Sequence, residues 1–177
     1  MTPEQLSFLE YEFTTSSMLA ALATRRKTHP TYAAGATDRD KEEMKQWLRN
    51  YLVQLGKRNQ LRSLSETEHL KELRTLVSEA SKIHGSALHQ GKFRFGVAQK
   101  LVNLYLKYLW AVGAVRIVHH CPLDGIINAE AELGYEWNTS DSEDEYVKAI
   151  FRLRSHVGAE QLQDWEIRTF QVARGAA

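Results

Sequence analysis

The stretch FRFGVAQKLVNLYLKYLW, Phe93 to Trp110, limits the possible folds more than any other part of the chain. At 3.6 residues per turn, Val97, Leu101, Leu104 and Tyr108 share one face, while Val102, Leu106 and Leu109 crowd the opposite side. A helix that is apolar around most of its circumference has to be enclosed by other elements, because no broad side of it suits water. The spacing predicts a central helix over 96–112, opened by Gly96 and stopped by Gly113. Its polar positions form a narrow stripe. Lys100, Asn103 and Lys107 are three and four residues apart, with Gln99 beside them. Such a stripe either lines a groove or is solvated along one edge.

Helical signals fill the rest of the chain. Pro3 stands at a helix start, and Leu6, Leu9, Phe13 and Leu19 supply an apolar face up to about Thr24. RRKTHPTYAAGAT reads as a basic loop with Pro30 and Gly35 as breakers. Asp38 can cap the next helix, whose Met44, Trp47, Leu48, Tyr51, Leu52 and Leu55 recur at helical steps, with Gly56 as its stop. SETE, from Ser65 to Glu68, matches a capping box before Leu70, Leu73, Val77 and Ala80. After the central helix, Pro122 suits the first position of a helix that Gly134 ends. A helix with Tyr146, Ile150, Leu153 and Val157 on one face follows NTSDSEDE, and the last carries Leu162, Trp165, Thr169 and Val172. No sustained alternation and no Asn-Gly hairpin argue for strands. The expected fold is all-α, one domain over 1–177, with about seven helices.

A chain of 177 residues, 43% apolar and 25% charged, can bury a core without staples. The single cysteine, Cys121, excludes an intramolecular disulfide and four-cysteine metal sites. The N-terminus MTPEQLSFLEYEF carries acids where a signal peptide would be basic and then apolar. The longest apolar run, Leu101 to Val118, is interrupted by Asn103, Lys107 and Arg116, so it is not a membrane span. These features predict a cytoplasmic protein with no membrane partner.

Net charge is only +1, but its distribution is uneven. From Ala80 to Leu123 there is no acid, while Lys82, Lys92, Arg94, Lys100, Lys107 and Arg116 all fall there. Glu130 to Glu166 then holds ten acids. An acid-free centre suits an anionic partner such as a nucleic-acid backbone, since lysine and arginine neutralise phosphates and release counterions. It equally suits a buried helix pair that excludes carboxylates but tolerates snorkelling lysines.

FGVAQK followed by CPLDGIINAEAELG resembles the core of the helix–hairpin–helix DNA glycosylase superfamily over residues 95–134. In that family a Gly-Val-Gly-x-Lys hairpin binds DNA phosphate through backbone N–H groups, and a Pro-x-Asp follows at the start of the next helix. Gly96, Val97 and Lys100 take the glycine, valine and lysine places, and Ala98 stands at the second glycine. Pro122, Leu123 and Asp124 take the Pro-x-Asp places. The resemblance implies a DNA partner and base excision, with Lys100 as nucleophile or substrate-positioning cation and Asp124 as the activating carboxylate. Gly96 would offer backbone donors to phosphate. Lys92, Arg94 and Lys107 would hold the strand, with Gln99 and Asn103 on the same nucleic-acid face. A flipped base needs an aromatic pocket, for which Tyr105, Tyr108, Trp110 and Trp137 are candidates. The segment AQK, LYLKYLW and HCPLD also resembles a group of bacterial helical proteins, which implies no activity.

Other features point to simpler roles. His119, His120 and Cys121 are adjacent, which is poor spacing for one metal, so no metal and no cofactor is expected. Cys121 is either a thiol activated by the neighbouring histidines and a helix start, or a small residue packed before Pro122. Trp47, Trp110 and Trp165 belong to apolar faces, whereas Trp137 lies in a polar loop suited to ligand contact. The alternative to an enzyme is a helical interaction or oligomerisation module, in which Lys100 and Asp124 form an ion pair between helices.

Overall fold

The computed structural model describes residues 2–23 and 29–175. The basic run Arg25 to Lys27 lies outside the described residues. The order is α1 (Pro3–Leu22), α2 (Asp38–Leu61), α3 (Glu66–His84), two 3-10 turns (Gly85–Ala87 and His89–Gly91), α4 (Phe95–Ala111), α5 (Gly125–Glu130), α6 (Glu143–Val157) and α7 (Leu162–Ala173). Among the described residues the protein is all-α. The sole extended pairing among these residues is an isolated antiparallel bridge between Tyr32 and Leu88. No helix there is long and apolar enough to cross a membrane.

Helix starts follow local chemistry closely. Thr2, Thr37 and Ser65 each close a capping box with the residue three positions on, so each satisfies two otherwise orphaned groups. Ser142 caps α6 by accepting from the Glu145 amide.

The apolar helix forms the axis. Thirteen of the seventeen residues of α4 are buried, and α1, α2 and α3 pack against it. One hydrophobic cluster joins residues of α1 to α7, with Tyr105, Tyr146, Phe93 and Met44 among its largest fully enclosed side chains.

Five expectations are corrected by the structure. The buried face of α1 is Thr14, Ser17, Met18, Ala21 and Leu22, while Leu19 is 68% exposed. These small side chains let the α1 backbone come close to α4, against which it packs. Gly56 does not stop α2, which continues to Leu61. A Cβ there would sit 2.6 Å from the Tyr105 hydroxyl, so Gly56 is where α2 meets α4. Pro122 does not open a helix: α5 starts at Gly125, with Asp124 as its cap. That helix also ends at Glu130 rather than Gly134, because the Leu133 amide turns back to the Asn128 carbonyl. On α7, Val172 is exposed and Glu166 takes part in the buried face.

Candidate functional site

Lys100 and Asp124 are brought together on the wall of a cavity of about 710 Å³. The cavity runs along α4 and is closed by the end of α1, the start of α5, the 137–138 segment and α7. Its size is that of an ordinary small-ligand site.

The Asp124 carboxylate is fixed by its own helix. Oδ1 accepts from the Ile126 and Ile127 amides at 2.9 and 3.2 Å, while Oδ2 lies 4.0 Å from the Lys100 ammonium. That separation is an ion pair without a hydrogen bond. The two side chains are 12% and 21% exposed, so both are shielded yet reachable. The Lys100 ammonium also lies 4.1 Å from the centre of the Trp137 ring. A desolvated cation over an indole face is a favourable placement.

Trp137 is held there by the main chain. The Gly96 amide donates to the Ser140 carbonyl, and a Cβ on Gly96 would fall 1.7 Å from the Trp137 carbonyl oxygen. Only glycine lets the 137–140 segment lie against the first turn of α4.

Two turns along α4, Lys107 repeats the pattern in a tighter form. Its ammonium donates to Glu166 Oε1 at 2.9 Å and lies 5.3 Å from the Phe170 ring centre. These side chains are only 9% and 2% exposed. Burial raises the Glu166 carboxyl pKa, and Lys107 opposes that rise.

The other residues of the expected nucleic-acid face are engaged within the fold. The Gly96 amide, bonded to Ser140, is not presented to a phosphate. Arg94 is 6% exposed and donates to the His29 and Pro30 carbonyls, tying the returning loop to the start of α4. Gln99 and Asn103 are fully buried. Gln99 grips Leu123, donating to its carbonyl at 2.9 Å and accepting from its amide at 3.1 Å. Asn103 donates to Gln99 Oε1, the Cys121 carbonyl and the Tyr146 hydroxyl. Lys92 is exposed and 3.9 Å from Asp141. The polar stripe therefore divides: Lys100 and Lys107 face the cavity, while Gln99 and Asn103 hold the 121–124 segment to α4.

Of the candidate aromatic residues, Tyr108 and Trp137 line the cavity. Tyr105 packs beneath Gly56 instead, and Trp110 belongs with the core. Cys121 is fully buried, and burial pushes its thiol pKa far up, so it is not an activated nucleophile. The His119 ring bonds to the Leu64 carbonyl, and no metal-ligating group of three or more side chains occurs among the described residues.

Glu166, Phe170, Glu66 and Tyr146 were not marked by the sequence as site residues. The partners that place them here, Lys107, Asn103 and His120, lie 26 or more positions away, and no local spacing encodes such pairings. No family model matches this chain, and neither a curated protein nor a solved structure matches it.

Proposed function

We propose that the cavity takes a nucleobase-bearing ligand, a nucleotide or a base turned out of a nucleic acid, and that Lys100 and Asp124 act at its glycosidic carbon. The observation that carries this reading is the approach of Lys100 and Asp124, 24 positions apart in sequence, beneath Trp137 on a cavity wall. An indole face offers a base a stacking surface. A carboxylate anchored by two amides is held in place to stabilise the positive charge that develops on a sugar ring as its base departs. A shielded amine beside it can attack the same carbon. Base-excision chemistry on DNA is the form of this reading that the Gly-Val-x-x-Lys and Pro-x-Asp resemblance favours. Without a free Gly96 amide, strand contacts would fall to Lys92 and to Arg174 at the cavity mouth.

The test combines binding and trapping. A fluorescent duplex containing one abasic site is titrated at several salt concentrations, then treated with borohydride. An amine attacking the open aldehyde form of the sugar gives an imine and water, and hydride reduction fixes it as a secondary amine. The expected result is salt-dependent binding and a covalent adduct at Lys100 that Lys100→Ala removes. No binding at low salt, with no adduct, overturns the reading.

A second reading is favoured by one observation: Gly96, Arg94, Gln99 and Asn103 all have partners inside the fold. In that reading the protein is a non-enzymatic helical interaction module, and Lys100 and Asp124 join α4 to α5. Lys100→Ala would then lower stability and alter no chemistry.

A further inference from the structure

We propose that a buried hydrogen-bond chain running from Glu66 to Leu123 positions the Asp124 carboxylate and makes the cavity wall respond to protonation of His120. The inference rests on the reading of the Lys100–Asp124 cavity as the functional site, and it names a means of regulating that site.

The chain is continuous across four elements. Glu66, at the first turn of α3, faces His120 Nε2 at 2.8 Å. His120 Nδ1 faces the Tyr146 hydroxyl of α6 at 2.7 Å. That hydroxyl accepts from Asn103 Nδ2 at 2.9 Å, and Asn103 meets Gln99 Oε1 at 3.3 Å. Gln99 holds both backbone groups of Leu123, the residue before Asp124. Except for Glu66, every side chain in the series is at most 1% exposed.

The donors fix one protonation state. The Glu66 carboxylate can only accept, so His120 Nε2 carries the proton; in the neutral ring Nδ1 is then an acceptor, and the Tyr146 hydroxyl, which accepts from Asn103, donates to it. The neutral ring completes the series. A second proton on Nδ1 would point at the Tyr146 oxygen, which already receives a donor. Tyr146 would then have to turn its own O–H toward a new acceptor. Asn103 Oδ1 forms no hydrogen bond among the described residues, and an amide flip would bring it into place. That flip withdraws the Asn103 donor from Gln99 and from the Cys121 carbonyl. The clamp on Leu123 would lose its backing, and Asp124 with it.

Other groups bear on the same ring. His69 of α3 packs edge-on to His120 at 4.8 Å between centroids, and burial, together with the neighbouring His120 and His119, lowers its pKa to about 3. Arg154 of α6 binds Glu66 at 2.9 Å, and His119 and Cys121 flank His120 in the chain. Burial lowers the His120 pKa to about 4, against the opposing pull of Glu66. Arg154 and His119 add to the lowering.

The test is a nuclear magnetic resonance titration of the ligand-free protein from pH 7.5 downward. It follows the His120 ring, the Gln99 side-chain amide and the Leu123 amide. In the wild type the Gln99 and Leu123 signals are expected to move with the midpoint of the His120 ring. Tyr146→Phe removes the central hydroxyl while keeping the ring packed. There His120 should still titrate, and Gln99 and Leu123 should lose that component. His120→Gln, which keeps a donor toward Glu66, should remove it as well. The proposal is overturned if Gln99 and Leu123 ignore the His120 midpoint in the wild type, or follow it unchanged in Tyr146→Phe. Simultaneous loss of all native signals at that midpoint also overturns it, because protonation would then act on the whole fold. No ligand enters the experiment, so its outcome is independent of the trapping result for Lys100.

Discussion

Replacing Gly96 by alanine sets helix propensity against a steric clash. In an open helical position, glycine to alanine stabilises by up to about 1 kcal/mol. At Gly96 the added Cβ would lie 1.7 Å from the Trp137 carbonyl oxygen, 2.6 Å from its carbon and 2.9 Å from its Cα. These are backbone atoms, so no rotamer change relieves the contact and the 137–140 segment must move. Overpacking of this kind costs about 1–3 kcal/mol. Displacing the segment also strains the hydrogen bond from Gly96 to Ser140, for a further loss of about 1 kcal/mol. Net destabilisation of about 1–3 kcal/mol is expected, with a fall in Tm of about 2–4 °C per kcal/mol. The assay is urea denaturation followed by circular dichroism, with Gly125→Ala as control. At Gly125 a Cβ meets nothing within 4 Å, and that variant should match or slightly exceed the wild type. Trp137 forms one wall of the cavity, so Gly96→Ala should also weaken any ligand that stacks there. A Gly96→Ala protein as stable as the control would refute the close approach and the assigned role of glycine.

Lys107→Ala should cost about 3–5 kcal/mol, because it strands a carboxylate that is 2% exposed. The double variant Lys107→Met with Glu166→Leu should recover most of that loss in the same melt, and a single variant as stable as the wild type would contradict the buried pair. Stability should fall on acidification. His120 and His69 have folded pKa values lowered to about 4 and about 3 by burial, so the unfolded chain binds more protons. Their contribution is full above about pH 6.5 and is lost progressively as the pH falls toward those values. Urea midpoints measured from pH 7.5 to 4 should show this decline, and His120→Gln should flatten it; a flat wild-type profile would count against the buried neutral rings. Cys121 should resist a thiol reagent in native buffer and react fully in denaturant, whereas rapid native labelling would contradict its complete burial.

Much of this architecture is legible in the amino-acid sequence. The seven helices come from local rules: a 3.6-residue apolar period, and capping residues at Ser65 and Ser142 that act on amides three positions away. The central place of α4 followed from its lack of a water-facing side. Lys100 and Asp124 were picked out as a pair by motif and by charge, and they do lie together. Their meeting was not encoded in the 24-residue spacing. It depends on Gln99 pinning Leu123 to α4.

What the tertiary structure alone decided concerns surfaces that face each other. Sequence periodicity reports that a helix has an apolar side, but not how close its neighbour comes. It therefore pointed to Leu19, where packing selected Thr14, Ser17 and Ala21. A glycine in sequence signals a stop or a close approach, and only the position of Tyr105 distinguishes these at Gly56. Polar stripes have the same ambiguity. Lys107 meets Glu166 and Asn103 meets Tyr146 across 59 and 43 positions, and the hydrogen bonds that engage them depend on three-dimensional placement. Local hydrogen bonding and hydrophobic period act over a few residues, so the sequence by itself determined the helices. The cavity, its paired charges and the chain from Glu66 to Leu123 exist only once those helices are packed.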